Sequence, residues 1–188
     1  MKEESKQVVE KQDFSEVRPF EGELLGYLFR GCDFMEGDLS EVSFINCVFD
    51  GCNLSMTDFG GAKLQNVTFR HCKLMGVDFS DASDFGFSLS FEECNLNYSS
   101  FVQKSMKGAQ FLHCTLQESN FSETNLEGAT LSYCDLRGAV FSNTNLSSCD
   151  LRTASHFSID LGSNGIRKAR FSRSGLAGLL EKYELILD

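Results

Sequence analysis

The sequence predicts a repeat protein, a stack of short units in place of long helices and ordinary strands. Three observations predict it. An apolar residue occupies every fifth position over most of the chain, a small residue stands two places before most of these, and cysteines recur at intervals of 20 residues. The 188 residues, 41% hydrophobic and 23% charged, are enough for one domain with a sizeable core.

The period is the strongest signal. From Leu24 the fifth-residue series runs Leu24, Phe29, Phe34, Leu39, Phe44, Phe49, Leu54, Phe59, Leu64, Phe69, Leu74 and Phe79 without a gap. It is lost around residues 80–90, resumes at Phe91 and holds through Leu151. His156 breaks it again, and Leu161, Ile166, Phe171 and Leu176 restore it. A period of five is neither the 3.6 of a helix nor the 2 of a strand. Each apolar residue is a centre. The position two before it is compact, and Asp or Asn often stands between, as in "CNLSM", "TDFGG" and "CDLRG".

This unit resembles that of the pentapeptide-repeat family, over roughly residues 20–176. The resemblance implies an all-β fold, a right-handed quadrilateral β-helix of about seven to eight coils. Four units make one square coil, so the structure repeats every 20 residues. The centre and the residue two before it point inward, and the other three positions face solvent or turn the corner. Coils stack about 4.8 Å apart, as β-ladders require. Each coil buries its apolar pair only when its neighbours cover it. The expected organisation is an N-terminal tail and cap over 1–18, the β-helix over 19–173 with an irregular bulge at 80–90, and a C-terminal helical dimerisation segment over 174–188.

All eight cysteines stand two before a centre. On a 20-residue coil, Cys32, Cys52 and Cys72 share a face, as do Cys94, Cys114 and Cys134. The 22-residue gap between the two sets closes if the irregular stretch adds two residues to one coil. All six then form one inward ladder, with Ala154 as the next rung. A buried thiol is a small hydrophobe, so packing is preferred to a metal or redox site. No CxxC spacing occurs, and His71 and His113 fall on outward corners. In a cytosolic protein these thiols stay reduced.

The break "SDASDFGFSLSFEE" carries Asp81, Asp84, Phe85 and Phe87 on a bulge. Two readings stand: a recognition loop, or a tolerated insertion with one Phe tucked inside. The quinolone-resistance branch of the family has a break similar to this one, with Ser and Gly after a "DF" pair, as Ser83 and Gly86 follow Asp78-Phe79 here. That branch also has a second, longer loop, for which the unbroken run from Phe91 to Leu151 offers no counterpart.

A net charge of −10 argues against nucleic acid and anionic membranes as partners, and no apolar run is long enough to span a bilayer. The N-terminus lacks the apolar core of a signal peptide, so a cytoplasmic location is expected. On the coil geometry Asp38, Asp58 and Asp78 stack on one face, with Glu41, Asp81 and Glu123 at its corner, and Asp84 on the bulge completes the expected partner-binding acidic face. The stack suits a basic partner, although Asp before a centre also hydrogen-bonds turn backbone.

At the C-terminus Leu176, Leu179, Leu180 and Tyr183 have helical spacing, with Ser174 as N-cap. With Leu185, Ile186 and Leu187 they form an expected dimer interface, unless the segment only caps the last coil. The resemblance, nearest to the quinolone-resistance and microcin B17 immunity branches, implies a homodimeric DNA mimic. Its partner is DNA gyrase or topoisomerase IV, which it protects from a poison. The alternative is a scaffold with another protein partner. No enzyme and no cofactor are expected. A packed prism has no interior pocket, no glycine-rich phosphate loop is present, and no catalytic set converges outside the core.

Overall fold

The structure, a computed structural model, describes residues 7–183. Five residues per side leave room for little more than a three-residue strand and a corner. Ten such strands form: β1 (Val8–Glu10), β2 (Glu23–Leu25), β3 (Leu28–Arg30), β4 (Ser43–Ile45), β5 (Val48–Asp50), β6 (Lys63–Gln65), β7 (Val67–Arg70), β8 (Leu89–Glu92), β9 (Gln110–Leu112) and β10 (Thr130–Ser132). Every pairing is parallel, and the order β1-β3-β5-β7-β8-β9-β10 makes the first face of a four-sided β-helix. Strands β2, β4 and β6 begin the fourth face.

Single bridges hold the remaining rungs. The second face runs Asp33, Asn53, Lys73, Asn95, Thr115, Asp135 and Ser155. The third carries the pairs Asp38–Asp58, Asp78–Ser100 and Ser100–Asn120. Corners turn in the left-handed region, where glycine is at ease and other residues are strained. At Gly76 (φ +68°) a second reason applies: the Met56 sulfur leans across the corner where a Cβ would sit.

The interior has the expected composition. Phe29, Phe49, Phe69, Phe91 and Phe111 stack on the first face, with centroids 4.7–5.3 Å apart. Phe59, Phe79, Phe101, Phe121 and Phe141 stack on the third at 5.0–5.7 Å. The two stacks meet edge to face, as at Phe91 and Phe101 (77°), the geometry ring quadrupoles favour. A ring with no polar atom suits this dry interior, which accounts for 18 Phe and no Trp.

The six-cysteine ladder is present. Cys52, Cys72 and Cys94 interact thiol to thiol in series, as do Cys94, Cys114 and Cys134, and Cys72 and Cys94 each donate to a carbonyl of the coil before. All eight cysteines are free and buried. Contact with Cys52 and Cys94, together with burial, pushes the Cys72 thiol up, and burial pushes Cys149 up to about 12. Polar residues in the same inward slot are satisfied by the coil itself. Thr57, Thr124 and Thr144 each donate to a carbonyl of the previous coil at 2.7 Å.

Both ends differ from expectation. Residues 8–14 are not a tail. Strand β1 pairs with β3, Asp13 bridges Asp33, and Phe14 stacks on Phe34 at 5.1 Å, so the coils begin before residue 19. Val9 and Phe14 stand on the five-residue register, but Pro19 interrupts it before Leu24, and both are only half-buried. At the other end the segment expected to be a helix forms two 3-10 turns, Leu176–Leu179 and Glu181–Tyr183. Its N-cap is Gly175, not Ser174, and makes no side-chain cap. Two glycines in four residues disfavour an α-helix here, and Gly178 packs directly under Phe157. The Ile159 amide donates to the Gly178 carbonyl at 2.9 Å, so the segment folds back on the last coil. Leu179 is buried there, Leu180 is half-buried, and Leu176 and Tyr183 are exposed. Leu185, Ile186 and Leu187 lie outside the described residues.

Candidate functional site: an acidic edge and a clamped bulge

The acidic residues singled out above fall into three places. Asp38, Asp58 and Asp78 head successive coils of the third face, each just before an inward centre (Leu39, Phe59, Phe79). Each carboxylate also serves its own turn, accepting the amide two residues on: Ser40 at 2.9 Å, Gly60 at 2.7 Å and Ser80 at 2.9 Å. Only Oδ1 is used in these bonds, which leaves Oδ2 outside the turn. Ser40 thereby holds the Asp38 carboxyl below the usual carboxylate range, and Arg18 lies 3.6 Å from it.

Glu41, Asp81 and Glu123 line the corner between the third and fourth faces, all exposed. Glu41 and Glu123 hold φ values of 60° and 58° there. Glu41 leans over Gly61, and Gln103 donates to Glu123 at 2.9 Å. Two acidic columns therefore share one edge: Asp38, Asp58 and Asp78 on successive coils, about 4.8 Å apart, and Glu41, Asp81 and Glu123 on alternate coils, about 9.6 Å apart, with Gly61 and Gln103 between them.

The bulge occupies the adjoining fourth face. Lys63 bridges Ser83 with a spacing of 20, whereas Val67 pairs with Leu89 at 22, so the two extra residues are absorbed between Ser83 and Ser88. Phe85 projects from it, 75% exposed, while Phe87 is half-buried against the core. One ring thus protrudes and one turns in.

Lys104 was missed. It stands two before Met106, in a slot that elsewhere holds a small residue, and only 4% of it is exposed. Its ammonium donates to the Ala82 carbonyl and lies 2.8 Å from Asp84 Oδ1 and 5.5 Å from the Phe87 ring centre. A buried cation without partners is prohibitively costly. The bulge supplies the partners, so Lys104 and Asp84 clamp it to the next coil. Asp84 therefore belongs to this clamp and not to the stacked columns. The lysine in an inward slot was visible in the sequence; that it reaches one coil back, to the insertion, was not.

The histidines stand outward, as expected. His71 donates from Nδ1 to Asp50 at 3.0 Å and faces Glu93 at 3.8 Å. The Asp50 hydrogen bond raises its pKa. His113 stacks on Tyr133 at 4.7 Å. Among the described residues no group of three or more His, Cys, Asp or Glu could hold a metal ion, and no helix is long and apolar enough to cross a membrane.

Family models for the pentapeptide repeat match residues 27–101, 90–128 and 119–155. The chain belongs to the pentapeptide-repeat family. No curated protein sequence matches it. Among solved structures it is similar to trypsin-treated QnrB1, a plasmid-mediated fluoroquinolone resistance protein, at TM-score 0.65 and 20% identity, covering 97% of this chain and 98% of that one. HetL of the cyanobacterium Nostoc sp. strain PCC 7120, involved in heterocyst differentiation regulation, is similar at TM-score 0.71 and 16% identity, covering 87% of this chain and 71% of that one. At these identities the likeness concerns the fold.

Proposed function

We propose that this chain is a non-enzymatic, acidic protein-binding rod that imitates DNA toward a DNA-binding partner. The partner is DNA gyrase or topoisomerase IV, in the cytoplasm of a bacterium. By occupying the DNA-binding surface, the rod protects the enzyme from a poison such as a quinolone or a peptide toxin. The observation that carries this reading is the pair of acidic columns on one edge, beside a bulge with an exposed ring. Asp38, Asp58 and Asp78 present carboxylates about every 4.8 Å, against one phosphate per 3.4 Å in each DNA strand. The second column, Glu41, Asp81 and Glu123, raises the charge density of the edge. A homodimer joined through the C-terminal segment would double the rod. Similarity in fold to a fluoroquinolone resistance protein across nearly its whole length supports the reading.

A second reading is a scaffold for another protein partner. It is favoured by the turn hydrogen bonds of Asp38, Asp58 and Asp78, which give these residues a structural reason to be present. A gyrase supercoiling assay with increasing amounts of the protein, with and without a fluoroquinolone, separates the two. Protection at low concentration with inhibition at high concentration is expected of the mimic. No effect in either arm, with a folded protein, leaves the scaffold.

A further inference from the structure

One exposed apolar surface is left unexplained by coil packing. Met35, Met56, Met75 and Tyr98 occupy four successive coils at the corner between the second and third faces, 43%, 59%, 38% and 62% exposed. Their coils are tied directly, since the Met56 amide donates to the Met75 carbonyl at 2.9 Å. The Met56 thioether lies across Gly76, which fills the gap between Met56 and Tyr98. The four side chains therefore stand along one corner of the rod, Met56 and Tyr98 in the turning position and Met35 and Met75 in the position before it.

Corner positions require only a backbone that tolerates positive φ. Gly, Asn and charged residues fill most others, including Glu36 beside Met35 on the same coil and Glu118 on the coil after Tyr98. Nothing in the coil calls for three methionines there. Asp58 and Asp78 stand around the corner on the third face, both exposed, and Lys73 on the second face is the one base bordering the strip. Flexible, polarizable methionines beside an aromatic ring, ringed by carboxylates, match one kind of ligand: a helix with apolar residues on one side and Lys or Arg on the other.

We propose that this corner is a docking surface for a basic amphipathic helix of a protein partner. The acids select the positive charge, and the methionines bury the apolar stripe and adapt to its sequence. Binding here does not require that the partner be gyrase. It adds to any charge mimicry a contact that salt does not screen.

The test is titration with a fluorescent helical peptide of roughly 14 residues built from Leu and Lys, alongside a peptide of equal charge with Ser in place of Leu. The wild-type rod should bind the Leu peptide at least about tenfold more tightly, a difference of about 1.4 kcal/mol. A Met56→Gln/Met75→Gln variant should lose that advantage while melting at the wild-type temperature, because these side chains face solvent. Asp58→Asn/Asp78→Asn should weaken both peptides alike. Equal affinity of the wild-type rod for both peptides would overturn the proposal, as would undiminished binding of the Leu peptide to the methionine variant.

Discussion

The inward slot two before each centre decides most of what individual residues do. It accepts Cys, Ala, Val, Thr and Ser because each is compact and either apolar or able to donate to a nearby carbonyl, in the previous coil for Thr and in its own coil for Ser. The eight thiols are therefore packing groups. With Ellman's reagent none should react in the native state, and all eight should react in denaturant. Fast reaction of any native thiol would contradict this. Lys104 is the exception in the slot, and it makes its own prediction. Asp84→Ala leaves the ammonium with a carbonyl and a ring, and should cost about 1–3 kcal/mol in urea unfolding, less than for a fully enclosed pair because Asp84 faces water. Lys104→Met should release the bulge, seen as faster chymotryptic cleavage at Phe85, with the rest of the rod still protected. The cysteine slots could be read from sequence because periodicity alone places them. The partners of Lys104 could not, because they depend on where the insertion is absorbed.

At the scale of the element, the corners and ends matter more than the strands. Strand pairing was implied by the 20-residue register, and the two-residue correction at the bulge carries it through to residue 170. The ends were not legible. Pro19 hides the first coil from a period count, although Val9 and Phe14 stand on the register. Helical spacing of leucines cannot outweigh Gly175 and Gly178 packed beneath Phe157. The corner at His71 carries a pH prediction. Its pKa is raised in the folded state, chiefly by the Asp50 hydrogen bond, above the ordinary 6.5. The stability it contributes is fully present below that value and is lost as pH rises through the folded pKa. The melting temperature should therefore fall more steeply as pH rises above about 6.5 in the wild type than in His71→Gln. Equal slopes would mean that the contact adds nothing.

For the whole molecule, the two phenylalanine stacks make a stiff axis that sets the spacing of everything outside. The acidic edge and the methionine strip are consequences of one register, placed on neighbouring corners of the third face. The sequence pattern located the acids because they alternate with the centres; the strip went unnoticed because its members alternate between two corner positions and share no single period. The claim on which the account rests is that the acidic edge takes the place of DNA. The most direct measurement is competition, in which the rod is titrated into a complex of gyrase with a labelled duplex of about twenty base pairs at two salt concentrations. The account predicts that the wild-type rod displaces the duplex, less well at the higher salt, and that Asp58→Asn/Asp78→Asn displaces it at least about tenfold less well. A duplex that stays bound while the rod also binds gyrase, or a variant as effective as the wild type, would contradict it.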